Sequence, residues 1–170
     1  LTGHPAGDTE YTMSNRIAII TGGTRGIGLA ISQELAEAGL FVAMIYRSDT
    51  NQAEHALSEI LDRGGQGSIH QSDISQPEEV SELIGDIIST HGRVDVLVPS
   101  AFRSGRPAKK IHELEISAWE DDLATNLTGA FLVSRSCLPT MLENKFGRIV
   151  FIGSLAMRGE RGRVAYTVAK

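Results

Sequence analysis

Four short apolar runs, at residues 17–20, 40–45, 94–98 and 149–152, punctuate the chain and are rich in β-branched residues. Runs this short with no polar alternation belong to strands buried on both faces, as in a parallel sheet. A weaker run at 67–70 supplies a fifth strand. Helical stretches fall between them at 26–38, 52–63 and 76–91, with a long one near 117–143. In the long one Trp119, Leu123, Leu127, Ala130, Phe131, Ser134 and Leu138 recur at steps of three and four, which predicts one buried stripe. Pro139 is expected to bend that helix near its end. Strand and helix in alternation, joined by right-handed crossovers, specify an α/β fold with a doubly wound parallel sheet in three α/β/α layers.

Composition narrows the class. At 170 residues the chain suits one domain with a real core, expected over 15–170. Residues 1–14, with Gly3, Pro5, Gly7 and Asp8 and no periodicity, read as a flexible leader ahead of it. The net charge of -5 argues against a partner with a phosphate backbone, so no nucleic acid is expected. The single cysteine, Cys137, allows neither an intrachain disulfide nor a cysteine-rich zinc site. His4, His55, His70, His91 and His112 show no ligand spacing, so no metal is expected either. No apolar run is long enough to span a bilayer, and the start has no signal-peptide pattern. The expectation is a soluble, cytoplasmic protein without a membrane partner.

Directly after the first strand comes Thr21-Gly22-Gly23-Thr24-Arg25-Gly26-Ile27-Gly28, and a helix begins within it. Glycines there let backbone N–H groups approach a pyrophosphate at the helix N-terminus, where the macrodipole favours anions. The spacing is G-x-x-x-G-x-G, and its place between strand and helix is what a nucleotide site requires. In NAD sites an acid about 20 positions on, at the end of the second strand, holds the ribose hydroxyls. Here that strand runs out into Arg47, Ser48 and Asp49, with Arg25 inside the glycine loop. Two guanidiniums suit the 2′-phosphate of NADP(H). Asp49 keeps NAD(H) as the alternative.

Near the chain end, Tyr166 and Lys170 stand four residues apart, on one face of a helix. A phenol is a poor acid–base catalyst near neutrality, with a pKa of about 10; a neighbouring ammonium stabilises the phenolate. Ser154 follows the last apolar strand, where ligands bind in an open α/β sheet.

From about residue 16 to 170, these residues resemble the short-chain dehydrogenases/reductases, a family with a Rossmann fold. The stretch from Thr21 to Gly28 is similar to that family's TGxxxGxG cofactor loop. Asp73 matches the aspartate that contacts the adenine, and Asn126, Ser154, Tyr166 and Lys170 match the catalytic set. The resemblance implies a cofactor site built from Thr21, Gly22, Thr24, Arg25, Gly26, Ile27, Gly28, Arg47, Ser48, Asp73, Ile74 and Ala101, with Asn126, Tyr166 and Lys170. It implies that Tyr166 protonates a substrate carbonyl while Lys170 tunes it and holds the nicotinamide ribose. Ser154 would polarise the same oxygen, and Asn126 would hold a water that links Lys170 to solvent. The residues alone allow plainer roles: Asn126 satisfying buried backbone, Ser154 capping a turn, Asp73 capping the next helix.

Three features depart from the family pattern. Its usual Asn-Asn-Ala-Gly after the fourth strand is Pro99-Ser100-Ala101-Phe102 here, which sets bulk where the main chain passes close to the cofactor. The loop from Ser154 to Tyr166 carries Arg158, Glu160, Arg161 and Arg163. The sequence also lacks the family's C-terminal strands and substrate segment, so the domain reads as incomplete at that end. The leading expectation is an NADP(H)-dependent reductase of a small-molecule carbonyl, such as a 3-oxoacyl thioester, acting as a homo-oligomeric dimer or tetramer. An enoyl reductase is a second enzyme option, disfavoured by the short Tyr–Lys spacing. A non-catalytic nucleotide-binding protein or inactive fragment is the alternative of a different class.

Overall fold

The computed structural model describes residues 16–103 and 107–170, and the expected leader at 1–14 lies outside them. The described strands are β1 (Ile17–Thr21), β2 (Phe41–Tyr46), β3 (Gln66–Gln71), β4 (Val96–Pro99) and β5 (Arg148–Ile149). They form one parallel sheet in the order β3-β2-β1-β4-β5. The chain therefore builds outward from β1 to β3 and then returns to the other side of β1. That reversal opens a crevice at the carboxyl ends of β1 and β4, the place where open α/β sheets bind ligands.

Side-chain alternation along the strands divides the core in two. Ile17, Ile19, Ala43, Ile45 and Leu97 face one layer, where α3 (Pro77–His91) supplies Val80, Ile84 and Ile87. On the same side α5 (Gly129–Glu143) supplies Leu132, Val133, Cys137 and Met141. Ala18, Ile20, Val42, Met44 and Val98 face the other layer, against Ala36 of α1 (Gly26–Glu37) and Ile60 of α2 (Thr50–Asp62). The expected three-layer, doubly wound fold is present. The central strands read most clearly because both their faces are covered. β3 is an edge strand with intermediate burial, which explains its weaker apolar run.

Two local expectations are corrected. The ladder of the last strand ends early: β5 covers only Arg148 and Ile149, with one further bond from Val150 N–H to Leu97 O at 2.9 Å. Val150 and Phe151 are exposed, because β5 has a neighbour on one side only. The long helix is α4 (Ile116–Leu123), a π-helical turn at Ala124–Thr128 and then α5, which runs on through Pro139. Its buried face is Ala118, Asp122, Asn126, Gly129, Leu132, Val133, Cys137, Thr140 and Met141, whereas Leu127, Phe131 and Leu138 are exposed. The buried stripe lies one residue ahead of the predicted one on both sides of the π turn, at 118 and 122 before it and at 129, 133 and 137 after it. Gly129 then lies against the sheet side, where an added Cβ would come within 2.8 Å of Ile74. It serves packing within the chain.

Asp95 ties the starts of three strands together. Its buried carboxylate accepts from the Ile17 N–H at 2.9 Å and from Arg93 Nε at 2.8 Å. Its backbone N–H donates to Ile17 O, and its carbonyl accepts from Arg148 N–H. Asp95→Ala strands a buried N–H and a half-buried guanidinium, so urea denaturation should show a loss of about 2–3 kcal/mol, and Asp95→Asn a smaller one.

Candidate functional site

The loop leaving β1 folds back on the start of α1. Thr21, buried at the end of β1, accepts from Ala101 N–H at 3.0 Å, which pins the segment after β4 beside it. Gly22 has a φ of 66°, and an added Cβ there would meet Ala101 Cα at 2.8 Å. A Cβ on Gly28 would stand 2.1 Å from Gly22 O, so only glycine allows α1 to approach the loop this closely. The hydroxyl of Ser32 closes the arrangement by donating to Gly23 O at 3.1 Å.

This packing leaves the start of α1 open. Arg25 occupies the N-cap without a side-chain capping bond, and the first turn carries no acid. The N–H groups of Gly26, Ile27 and Gly28 have no partner earlier in the helix, as in any first turn. These residues line a cavity of about 520 Å³ together with Gly22, Thr24, Arg25, Arg47, Ser48, Asp73, Ile74 and Ala101. Every expected cofactor residue outside the catalytic set is thus in the wall, except Thr21, which lies beneath it holding Ala101. The wall also includes Ser100 and Phe102 of the segment that departs from the family pattern, and Ser72, Arg103 and Thr125, which no motif marked.

The cavity fits a dinucleotide on its own features. Ser72 Oγ is buried there without a hydrogen-bond partner among the described residues, an acceptor or donor left for a ligand. Arg25 and Arg47 are exposed at the wall, suited to an anion. The carboxylate of Asp49 is already engaged, accepting from Gln52 N–H at 3.1 Å as the N-cap of α2. Asp73 accepts from Ser75 N–H at 3.0 Å and from the Ser75 hydroxyl at 2.7 Å, which locks the turn before α3. Partial burial alone would raise its pKa. The Ser75 bonds and the charges of Arg47 and Arg103 outweigh that and hold it below the usual value. The cap of α3 itself is Gln76, so Asp73 does not fill the helix-capping role that the residues alone allowed.

The four catalytic candidates stand outside this wall. Asn126 is buried in the π turn, where its Oδ1 accepts from Arg103 N–H at 2.7 Å and its Nδ2 donates to Arg103 O at 3.2 Å. Ser154 caps a 3-10 turn (Leu155–Arg158), its oxygen accepting from Ala156 N–H at 3.2 Å. Both plainer roles are therefore filled. Tyr166 lies on α6 (Val164–Ala169), with the Arg163 guanidinium 4.6 Å from its ring centroid. Lys170 donates from Nζ to Ile152 O at 3.0 Å, and burial holds its ammonium below the usual lysine range. The helix α6 packs on α4 and on the π turn, which sets Tyr166 and Asn126 on adjoining elements. Cys137 contributes no nucleophile: it is buried, and burial pushes its thiol up to about 12.

A glycine-built cradle at the switch point of a doubly wound parallel sheet defines a Rossmann-like α/β protein. More narrowly, the chain belongs to the short chain dehydrogenase family, whose model matches residues 16–170. It is 32% identical over 159 residues to a 3-oxoacyl-[acyl-carrier-protein] reductase of Synechocystis sp., covering 93% of this chain and 64% of that protein. A 3-oxoacyl-[acyl-carrier-protein] reductase of Staphylococcus epidermidis is 34% identical over 158 residues, covering 92% of this chain and again 64% of the relative. The chain thus spans just under two thirds of the length of these relatives. Among solved structures, a metagenomic short-chain oxidoreductase in complex with NADP superposes with a TM-score of 0.88 at 32% identity, over 94% of this chain and 72% of that one. An NAD⁺-bound xylitol dehydrogenase gives 0.87 at 26% identity, over 93% and 60%. Among the described residues, no helix is long and apolar enough to cross a membrane.

The contact between Gly28 and Gly22 gives a direct test of the cradle. Gly28→Ala forces two backbone segments apart and should cost about 1–3 kcal/mol in urea denaturation, with nucleotide binding lost. An alanine variant of wild-type stability and affinity would show that the loop does not depend on this approach.

Proposed function

We propose that this chain is the nucleotide-binding and catalytic part of a cytoplasmic, NADP(H)-dependent carbonyl reductase, with a 3-oxoacyl thioester as the substrate class. The observation that supports it most is the uncapped start of α1, opening on a cavity flanked by Arg25 and Arg47. The pyrophosphate would take the N–H groups of the glycine loop, and the two arginines would take a 2′-phosphate. NAD(H) is the weaker alternative, because the carboxylate of Asp49 is engaged as a helix cap. The bound nicotinamide would supply the hydride; the chain supplies placement and a proton.

In this reading Tyr166 gives its hydroxyl proton to the substrate oxygen. The Ser154 hydroxyl oxygen accepts from Ala156 N–H, which leaves the Ser154 proton free to donate to the same substrate oxygen. Lys170 uses one N–H on Ile152 O and keeps two for the ribose and the phenol. The side-chain amide of Asn126 is engaged with the Arg103 backbone, so a water relay would run from the main chain of the π turn. Self-association into a dimer or tetramer is part of the proposal. Leu127, Phe131, Leu138 and Leu142 are large, exposed and carried by the same helical run.

The central test is Tyr166→Phe. Turnover of a 3-oxoacyl thioester with NADPH should fall by about 10²–10⁴-fold, while NADPH affinity stays within about 2-fold of wild type. Survival of turnover overturns the tyrosine-acid mechanism. Binding of NADPH with no turnover in either protein favours the second reading, a non-catalytic nucleotide-binding protein, to which Phe102 in place of the family's glycine points.

The choice of nucleotide is tested separately. Arg47→Ala should weaken NADPH by about 5–30-fold, the loss of one charge-assisted contact, and leave NADH affinity unchanged. An equal loss for both nucleotides would remove the 2′-phosphate assignment.

A further inference from the structure

The charged loop between Ser154 and Tyr166 takes no part in the mechanism proposed so far, and its arginines are not alike. Arg158 and Arg161 are exposed. Arg163 is partly buried at the start of α6, with its guanidinium over the Tyr166 ring, 4.6 Å from the centroid. Its Nη1 donates to both carboxylate oxygens of Glu160, at 3.0 and 3.3 Å. Among the described residues the Tyr166 hydroxyl makes no hydrogen bond, so no bond at its polar end directs the ring.

The main chain that carries Arg163 is fixed. Gly162 turns with a φ of 78°, and its carbonyl accepts from Lys109 N–H at 3.0 Å. A Cβ there would stand 2.7 Å from the Ala108 Cβ, so the loop lies close against the 108–109 segment. Arg163 N–H donates back to Glu160 O at 3.2 Å, and Arg163 O accepts from Thr167 N–H at 2.9 Å in the first turn of α6. The guanidinium is thus held by the carboxylate on one side and by the helix start on the other. The face of a phenol ring attracts a cation, more strongly where both are partly desolvated. A planar guanidinium also stacks on the ring.

We propose that Arg163 is a positioning residue for the reduction: braced by Glu160, it packs on the Tyr166 ring and sets the direction in which the phenol presents its proton. The inference rests on the reading of Tyr166 as the acid. A misplacement of about 1 Å in a reacting group can cost about 10²-fold in rate, so a contact on the ring face reaches the chemistry without touching substrate.

Steady-state turnover of acetoacetyl-CoA with NADPH tests it in Arg163→Gln, Arg163→Lys, Tyr166→Phe and the double variant Tyr166→Phe/Arg163→Gln. Arg163→Gln should lower kcat by about 5–20-fold, the loss of one partly desolvated cation–π contact, with KM and NADPH affinity within about 2-fold. Arg163→Lys, which keeps a cation for the ring, should stay within about 3-fold of wild type. In the Tyr166→Phe background the same glutamine should change kcat by less than about 2-fold, because an effect that acts through the hydroxyl is lost with it. An unchanged kcat in Arg163→Gln, a loss that falls on KM or NADPH affinity alone, a lysine variant as slow as the glutamine one, or an equal loss in both backgrounds overturns the positioning role. In each of those cases a large loss in Tyr166→Phe leaves the acid in place. Absence of turnover in the wild-type protein, or Tyr166→Phe as fast as wild type, overturns the reading of Tyr166 and this inference with it.

Discussion

The close approach of α1 to the loop leaving β1 governs much of what this chain can do. With no Cβ at Gly28, the first turn of the helix lies against the carbonyl of Gly22. That contact turns a strand-to-helix connection into a shallow bed of backbone N–H groups. It also draws in the segment after β4, because Gly22 meets Ala101 and Thr21 bonds its N–H. The anion cradle and the far wall of the cavity are therefore two consequences of one packing event. The parallel sheet beneath supplies the rigidity, with Ile19 and Ile20 wholly buried on opposite faces.

A second constraint joins this cradle to the catalytic candidates. The buried side chain of Asn126 holds both backbone groups of Arg103, which ties the π turn to the segment after β4. The helix that carries Tyr166 packs on the same π turn. Placement of the phenol and placement of the cavity wall thus share a support. Lys170 bonds Ile152 O beyond β5, which couples the end of α6 to the edge of the sheet. The proposed reduction asks only that substrate and nicotinamide meet between these two supports.

The strands and the glycine loop were legible because each is specified locally. Ile17 to Ile20 or Val42 to Ile45 must be covered on both faces, and no other placement satisfies them. The face of the long helix was not legible. Counting steps of three and four from Trp119 selects Leu127, Phe131 and Leu138, but the buried stripe runs one residue earlier along the whole stretch. The small or polar Ala118, Asp122, Asn126 and Gly129 take the inner face, so apolar spacing alone selects the wrong one. The engagement of Asp49 as a cap and the anchoring of Arg103 were hidden for a related reason. Both depend on bonds that only the assembled fold makes, such as Arg103 to Asn126, 23 residues apart.

The claim on which everything else rests is that the start of α1 receives a nucleotide's phosphates. Amide-resolved NMR of the protein titrated with NADPH reads this directly. The account predicts large, saturable shifts at Thr24, Arg25, Gly26, Ile27 and Gly28, with further shifts at Asp73 and Ala101 and none along β5. Saturable shifts that leave the α1 amides untouched, or no shifts at millimolar NADPH, would contradict it.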